Sequence, residues 1–137
     1  MGKTISSWLM AVLFVTAGIN HFLSPKFYLS IMPGYLPWHQ ELVFISGVAE
    51  ILGGIGVVFP RTRRLAGWGL VALLIAVFPA NIHVALQGLG GSALPAWILW
   101  ARLPLQFVLI GWVCWTCLAR KGPVQPPMDS QDPSADR

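Results

Sequence analysis

Residues 65–101 read LAGWGLVALLIAVFPANIHVALQGLGGSALPAWILWA, 37 consecutive positions without an Asp, Glu, Lys or Arg. A bilayer core of about 30 Å is crossed by roughly 20 helical residues, so this run is too long for one span and suits two. The break falls at Gln87-Gly-Leu-Gly-Gly-Ser-Ala-Leu94, where the glycines disfavour helix and Pro95 follows at a position suited to a helix start. Working outward, Thr4 to Leu23 carries no charge and Glu41 to Phe59 is interrupted only by Glu50. Four spans are predicted, at about 4–23, 41–59, 65–87 and 95–119. The expected fold is all-α, an integral-membrane four-helix bundle within one domain, residues 1–121. Residues 122–137, with four prolines and no aromatic side chain, are expected to form a disordered cytoplasmic tail.

Composition agrees with lipid as the solvent. Of 137 residues, 55% are hydrophobic and 10% charged, against roughly 25% charged in soluble domains. Three of the five acids, Asp129, Asp132 and Asp136, crowd the C-terminus, leaving only Glu41 and Glu50 before them. Acid–base catalysis of the aqueous kind is thereby disfavoured. The net charge of +4 does not indicate nucleic acid, because the basic residues fall between apolar runs rather than along one face. They read as orientation signals: Lys3, Arg61, Arg63, Arg64, Arg120 and Lys121 share one side, and Lys26 alone marks the other. Both termini are therefore expected in the cytoplasm of a multi-pass protein. Lys3 followed by an apolar stretch and Val15-Thr16-Ala17 also imitates a signal peptide, but the apolar segment continues far enough to span.

The first loop, Ser24 to Gln40, is rich in aromatic residues. Ser24 can cap a short helix opened by Pro25, and Phe27, Tyr28, Tyr35 and Trp38 suit the headgroup region. Two readings stay open, an interfacial anchor and a lid over a site between the helices.

Polar groups inside spans are costly and need a reason. Glu50 lies about 14 Å down the second span and Arg102 about 11 Å down the fourth, matching depths that predict an ion pair. Ser46, Gly47, Gly53 and Gly54 share the Glu50 face and favour close helix approach. His21, Asn81 and Gln106 lie in the same outer half, whereas the inner halves read as nearly all apolar. Together His21, Glu50, Asn81, Arg102 and Gln106 are the candidate ligand pocket, with Asn20, His83 and Gln87 as further polar candidates. Asn81 and His83 are about 200° apart around a helix, so only one can face the bundle centre. Pro79 leaves the carbonyl of Ile75 without its helical donor.

No metal is expected, since no His pair occurs at ligand spacing on one helix. Cys114-Trp-Thr-Cys117 matches a redox dithiol pattern, but it lies near a helix C-terminus, where the dipole disfavours thiolate. Apolar packing is the alternative. Gly53-Gly54-Ile-Gly56 imitates a phosphate loop without the strand such a loop requires. No internal repeat is evident.

Seven segments, Gly18-Ile-Asn-His-Phe22, Pro25 to Tyr28, Ile31-Met-Pro33 with Leu36-Pro37, Ser46-Gly-Val-Ala-Glu50 with Gly53-Gly54, Pro60-Arg-Thr-Arg-Arg64, Phe78-Pro-Ala-Asn81 and Arg102-Leu-Pro-Leu-Gln106, together resemble the DoxX-like membrane proteins over about Ile5 to Trp115. The Cys114/Cys117 pair is not part of that pattern. The family consists of compact four-helix membrane proteins named for a small subunit of an archaeal quinol oxidase system. Its bacterial members are often linked to thiol or oxidative-stress pathways, and some animal relatives look like assembly factors. The resemblance implies an accessory subunit of a quinone- or thiol-linked redox system in the bacterial cytoplasmic (inner) membrane, with quinone as the candidate cofactor and lipid and other redox subunits as partners. The alternatives are a non-catalytic assembly or scaffold protein and a small-molecule carrier. The last is weakened by the missing inverted repeat.

Orientation yields a direct test. In a background lacking Cys114 and Cys117, a membrane-impermeant thiol reagent is expected to label Ser30→Cys from outside and Gln125→Cys only after permeabilisation. External labelling of Gln125→Cys would reverse the topology.

Overall fold

The computed structural model describes residues 2–87 and 95–119, and every regular element among them is helical. In chain order these are α1 (Gly2–Leu23), a short α2 (Pro25–Ser30), α3 (His39–Gly56), α4 (Arg63–Gln87) and α5 (Ala96–Val113), which runs on into a π-helical turn, Cys114–Leu118. The expected glycine-rich break at 88–94 and the expected disordered tail lie outside the described residues.

Among the described residues, three stretches are long and apolar enough to cross a membrane: Gly2–Leu23, Arg63–Leu86 and Trp97–Leu118. The second expected span is not among them. It forms an 18-residue helix, His39–Gly56, opened by His39, Gln40 and Glu41 and interrupted by Glu50, and these polar groups lower its apolar character. α3 packs against α1 and α4, and α4 packs against α5; the π-helical turn touches both α1 and α4.

The packing inverts the soluble pattern. One core cluster joins Met10, Phe14, Val57, Leu70, Leu74 and Val113, and a smaller one joins Ile31, Val84 and Leu99 near α2. Large apolar side chains also line the outer faces, among them Trp8, Leu9 and Val12 on α1, Leu65, Trp68 and Ile75 on α4, and Phe107 and Val108 on α5. An isolated exposed leucine is unremarkable in a soluble protein, but apolar residues all round several helices belong to an apolar solvent.

Small residues set the closest helix approach. A Cβ added to Gly18 would lie 2.6 Å from the Gly47 carbonyl oxygen, and one added to Gly47 would lie 2.9 Å from the His21 Cβ. Gly54 meets the Ala11 carbonyl and Val15 in the same interface. The Gly53-Gly54-Ile-Gly56 run is thus a packing device. Where lipid supplies no hydrophobic drive between helices, such backbone proximity carries the association.

The basic residues have a local role as well. Arg63 donates from Nε to the Val57 carbonyl at 2.8 Å and from Nη2 to Val58 at 3.1 Å, and Lys3 Nζ donates to Ala119 at 3.1 Å. Each supplies a donor to carbonyls that a helix end leaves without partners.

The first loop folds inward. Pro25 opens α2 as expected, but the Ser24 hydroxyl makes no capping bond; the Ser24 backbone carbonyl instead accepts from Phe27 N–H at 3.1 Å. Ile31 and Pro33 are buried, and His39 Nε2 donates to the Pro33 carbonyl at 3.0 Å. Tyr35 and Trp38 face outward, 72% and 73% exposed. Trp38 holds a left-handed backbone, φ 55°, where α3 begins.

The glycine contact gives the second prediction. Gly18→Ala or Gly47→Ala, which force a methyl group into opposing backbone or side-chain atoms, are expected to destabilise the detergent-solubilised protein by about 1–3 kcal/mol. Gly69→Ala, which meets nothing within 4 Å, is expected to leave thermal stability unchanged or slightly raised. Equal losses at all three positions would remove the contact from its assigned role.

Candidate functional site

The α1–α3 contact builds the first polar cluster. Gly18 and Gly47 touch one turn below His21 and Glu50, and the two side chains meet with His21 Nδ1 3.4 Å from Glu50 Oε2, at 9% and 14% exposure. His21 Nδ1 also lies 3.0 Å from the Ala17 carbonyl oxygen. A carbonyl only accepts, so this nitrogen carries a proton and donates. Glu50 Oε2 is buried and has no hydrogen-bond partner.

α2 closes over this pair. The Tyr28 ring stacks on the His21 imidazole, centroids 3.7 Å apart at 21°, and the Tyr28 oxygen accepts from Asn20 Nδ2 at 3.0 Å. Between this stack, the first loop, α3 and α4 lies a cavity of about 230 Å³. His21, Tyr28 and Ser46 supply its polar wall, and residues such as Met32, Leu36 and Val77 make the rest apolar. An engineered apolar cavity of about 150 Å³ holds benzene, while drug-sized ligands occupy about 300–1,000 Å³. The volume therefore suits a single substituted ring. The loop thus takes the lid position rather than lying wholly along the surface.

The second cluster joins α4 to α5. Asn81 Nδ2 donates to Gln106 Oε1 at 2.7 Å, and Gln106 Nε2 donates to the Leu74 carbonyl. The carbonyl engaged is one residue before Ile75, the acceptor expected from Pro79. Successive helical residues turn by about 100°, and here Leu74 faces inward while Ile75 faces outward. His83 is half-buried and takes no part in this network. The side chain of Gln87 lies outside the described residues.

Arg102 stands apart from both clusters. Its guanidinium carbon lies 5.7 Å above the Phe27 ring, and Nη1 is buried without a partner. The expected Glu50–Arg102 ion pair does not form. Matching depth is insufficient because α3 and α5 each pack on α4 rather than on each other. Between the two charges runs a series of ring contacts, Tyr28 on His21, Phe27 edge-on to Tyr28 at 5.4 Å, and Arg102 over Phe27. Of the five candidate pocket residues, only His21 lines the cavity; Glu50 sits beside it, Asn81 and Gln106 pair elsewhere, and Arg102 caps Phe27.

The end of the helices opposite α2 is less apolar than the sequence suggests. Ser6 Oγ lies 2.8 Å from Thr116 Oγ1 and accepts from Trp112 Nε1 at 2.7 Å. Small hydroxyls in spans carry little signal alone, since a helical hydroxyl can bond its own backbone, as Ser7 does to Lys3. Beside this network, Cys114 and Cys117 are free, half-buried thiols packed against the main core. Gly67 makes room for Cys117, whose Cβ would lie 2.5 Å from a Cβ added there. Among the described residues no three His, Cys, Asp or Glu side chains converge.

The chain is thus an all-helical protein whose apolar helices gather polar groups at their contacts. It belongs to the family described as "Domain of unknown function (DUF8561)", whose model matches residues 10–117 and so spans His21, Tyr28, Glu50, Asn81, Arg102 and Gln106. No curated protein and no solved structure matches it.

Double-mutant cycles separate the clusters. Asn81→Ala and Gln106→Ala are expected to couple by about 0.6–1.7 kcal/mol, the range for interhelical hydrogen bonds in membrane proteins. Glu50→Gln and Arg102→Gln are expected to add within about 0.5 kcal/mol. Thermal denaturation in detergent measures both, and strong Glu50–Arg102 coupling would contradict the separation seen here.

Proposed function

We propose that this chain is a multi-pass protein of the bacterial inner membrane, a four-helix bundle of DoxX-like type with both termini cytoplasmic, and that it serves as an accessory subunit of a quinone- or thiol-linked redox system. α3 is taken as the fourth span, shielded by α1 and α4 so that its carboxylate need not face lipid. The observation that carries the reading is the cavity beneath the first loop, lined by His21, Tyr28 and Ser46 and otherwise by apolar side chains. That combination suits an amphipathic ring with a tail, and a quinone head group has that shape and polarity.

The residues present fit such a head group. Because the Tyr28 oxygen accepts from Asn20, its own O–H is left to donate to a ring carbonyl. Ser46 donates to the Val43 carbonyl at 2.9 Å and can rotate to a second acceptor. A bound quinone would supply the redox chemistry; the protein would bind and orient it and keep water away. The half-buried thiols at Cys114 and Cys117 support a packing role, so the quinone branch is preferred over the thiol branch.

An assembly or scaffold role is the second reading. The Asn81–Gln106–Leu74 and Ser6–Thr116–Trp112 networks favour it, because their members satisfy one another as interhelical glue does. Quinone titration of the purified protein, followed by tryptophan quenching, distinguishes the two. Saturable quenching is expected, weakened about tenfold, or about 1.4 kcal/mol, in His21→Leu and in the cavity-filling Ala80→Leu. Quenching that does not saturate and is identical in the variants would indicate partitioning into detergent and leave the scaffold reading.

A further inference from the structure

Among the described residues Arg102 has no counter-charge. Its Nη1 is buried and unpartnered, and among the described residues it forms no ion pair. The two carboxylates in that region are otherwise placed, Glu50 against His21 and Glu41 exposed in the first turn of α3. The face of Phe27 attracts the guanidinium, but a ring supplies neither negative charge nor a lone pair for the remaining N–H donors. A guanidinium presents five donors in a planar fork that matches the oxygens of a phosphate.

Its surroundings indicate where the anion comes from. Trp97 and Trp100 on α5 are both exposed, as is Trp38 where α3 begins; such tryptophans mark headgroup depth. Arg102 follows Trp100 by two residues and Trp97 by five, hence about 3 and 7.5 Å along the axis. Its long side chain can cover that distance. Lys26, adjacent to Phe27 on α2, is exposed and is a further positive charge on the helix that Arg102 overlies. We propose that Arg102, set over Phe27, is an anion site for a phosphate group at the α2 end of the molecule, filled by the headgroup of a phospholipid or by a soluble phosphate. It rests on the membrane placement proposed above and not on the quinone site, whose cavity Arg102 does not line.

Thermal stability of the full chain in an uncharged detergent tests this with three probes: dioctanoyl phosphatidic acid, dioctanoylglycerol and inorganic phosphate. The first and second share acyl chains and differ in the phosphate. A saturable rise in Tm with phosphatidic acid, absent with dioctanoylglycerol, supports the site with lipid as its source; a rise with inorganic phosphate as well assigns a soluble source. Arg102→Gln is expected to weaken the response about tenfold or more, the loss of one hydrogen bond to a charged group, and Arg102→Lys to weaken it less. Neither variant should alter quinone quenching. Equal responses to phosphatidic acid and dioctanoylglycerol, or no response, in the wild-type protein would overturn the proposal even if the variants fail to fold. Retention of the chain in carbonate-washed membranes reports the membrane placement separately.

Discussion

The backbones of α1 and α3 approach so closely at Gly18 and Gly47 that neither position admits a methyl group without movement. The polar arrangement at the α2 end depends on that approach. It brings His21 to Glu50, giving a buried carboxylate oxygen an imidazole neighbour in the middle of a helix pair. It also fixes the imidazole ring on which Tyr28 stacks, and so the position of α2 and of the cavity beneath the first loop. A wider separation would leave Glu50 exposed to an apolar medium, where an isolated charge costs at least about 2.5–3.5 kcal/mol.

Much of the helical layout was legible because a charge-free run has one physical reading. α1, α4 and α5 follow from length and hydropathy to within a few residues, and the inward face of α3 follows from its glycines. The glycine face correctly identified Glu50 as pointing toward a neighbouring helix. It could not say which neighbour, because depth along a helix is readable from residue counts while the order of helices around an axis is not. For that reason Glu50 was expected to reach Arg102 and instead lies against His21. The acceptor on α4 is one residue from the expected one for a related reason, since helix rotation decides which carbonyl faces α5. The Ser6–Thr116–Trp112 contact was missed because its partners are 106 and 110 residues apart in sequence.

Polar groups occur at both ends of the helices in two different states. At Asn81–Gln106–Leu74 and at Ser6–Thr116–Trp112, donors and acceptors match, as a low-dielectric interior requires of any polar group it holds. Around the cavity they do not. Glu50 Oε2 is unpartnered, the Tyr28 hydroxyl has a hydrogen left to donate, and His21 engages only one ring nitrogen in hydrogen bonding. Satisfied networks hold helices together; unsatisfied ones beside a void are where a ligand has something to gain.

The two charges between the helices show how the fold tolerates that imbalance. Glu50 and Arg102 carry opposite signs and each retains an unpartnered buried atom, yet the Phe27–Tyr28 rings stand between them. Joining them would replace two uncompensated charges by one pair, which is ordinarily the less costly arrangement in a low-dielectric interior. The separation is affordable only if each charge has its own partner. His21 serves Glu50. For Arg102 the Phe27 face contributes about 0.5–2 kcal/mol, less than the several kcal/mol that desolvating an ion costs. The shortfall is why the proposed phosphate belongs at Arg102, and why the aromatic pair on α2, by keeping the charges apart, leaves both of them available to molecules other than each other.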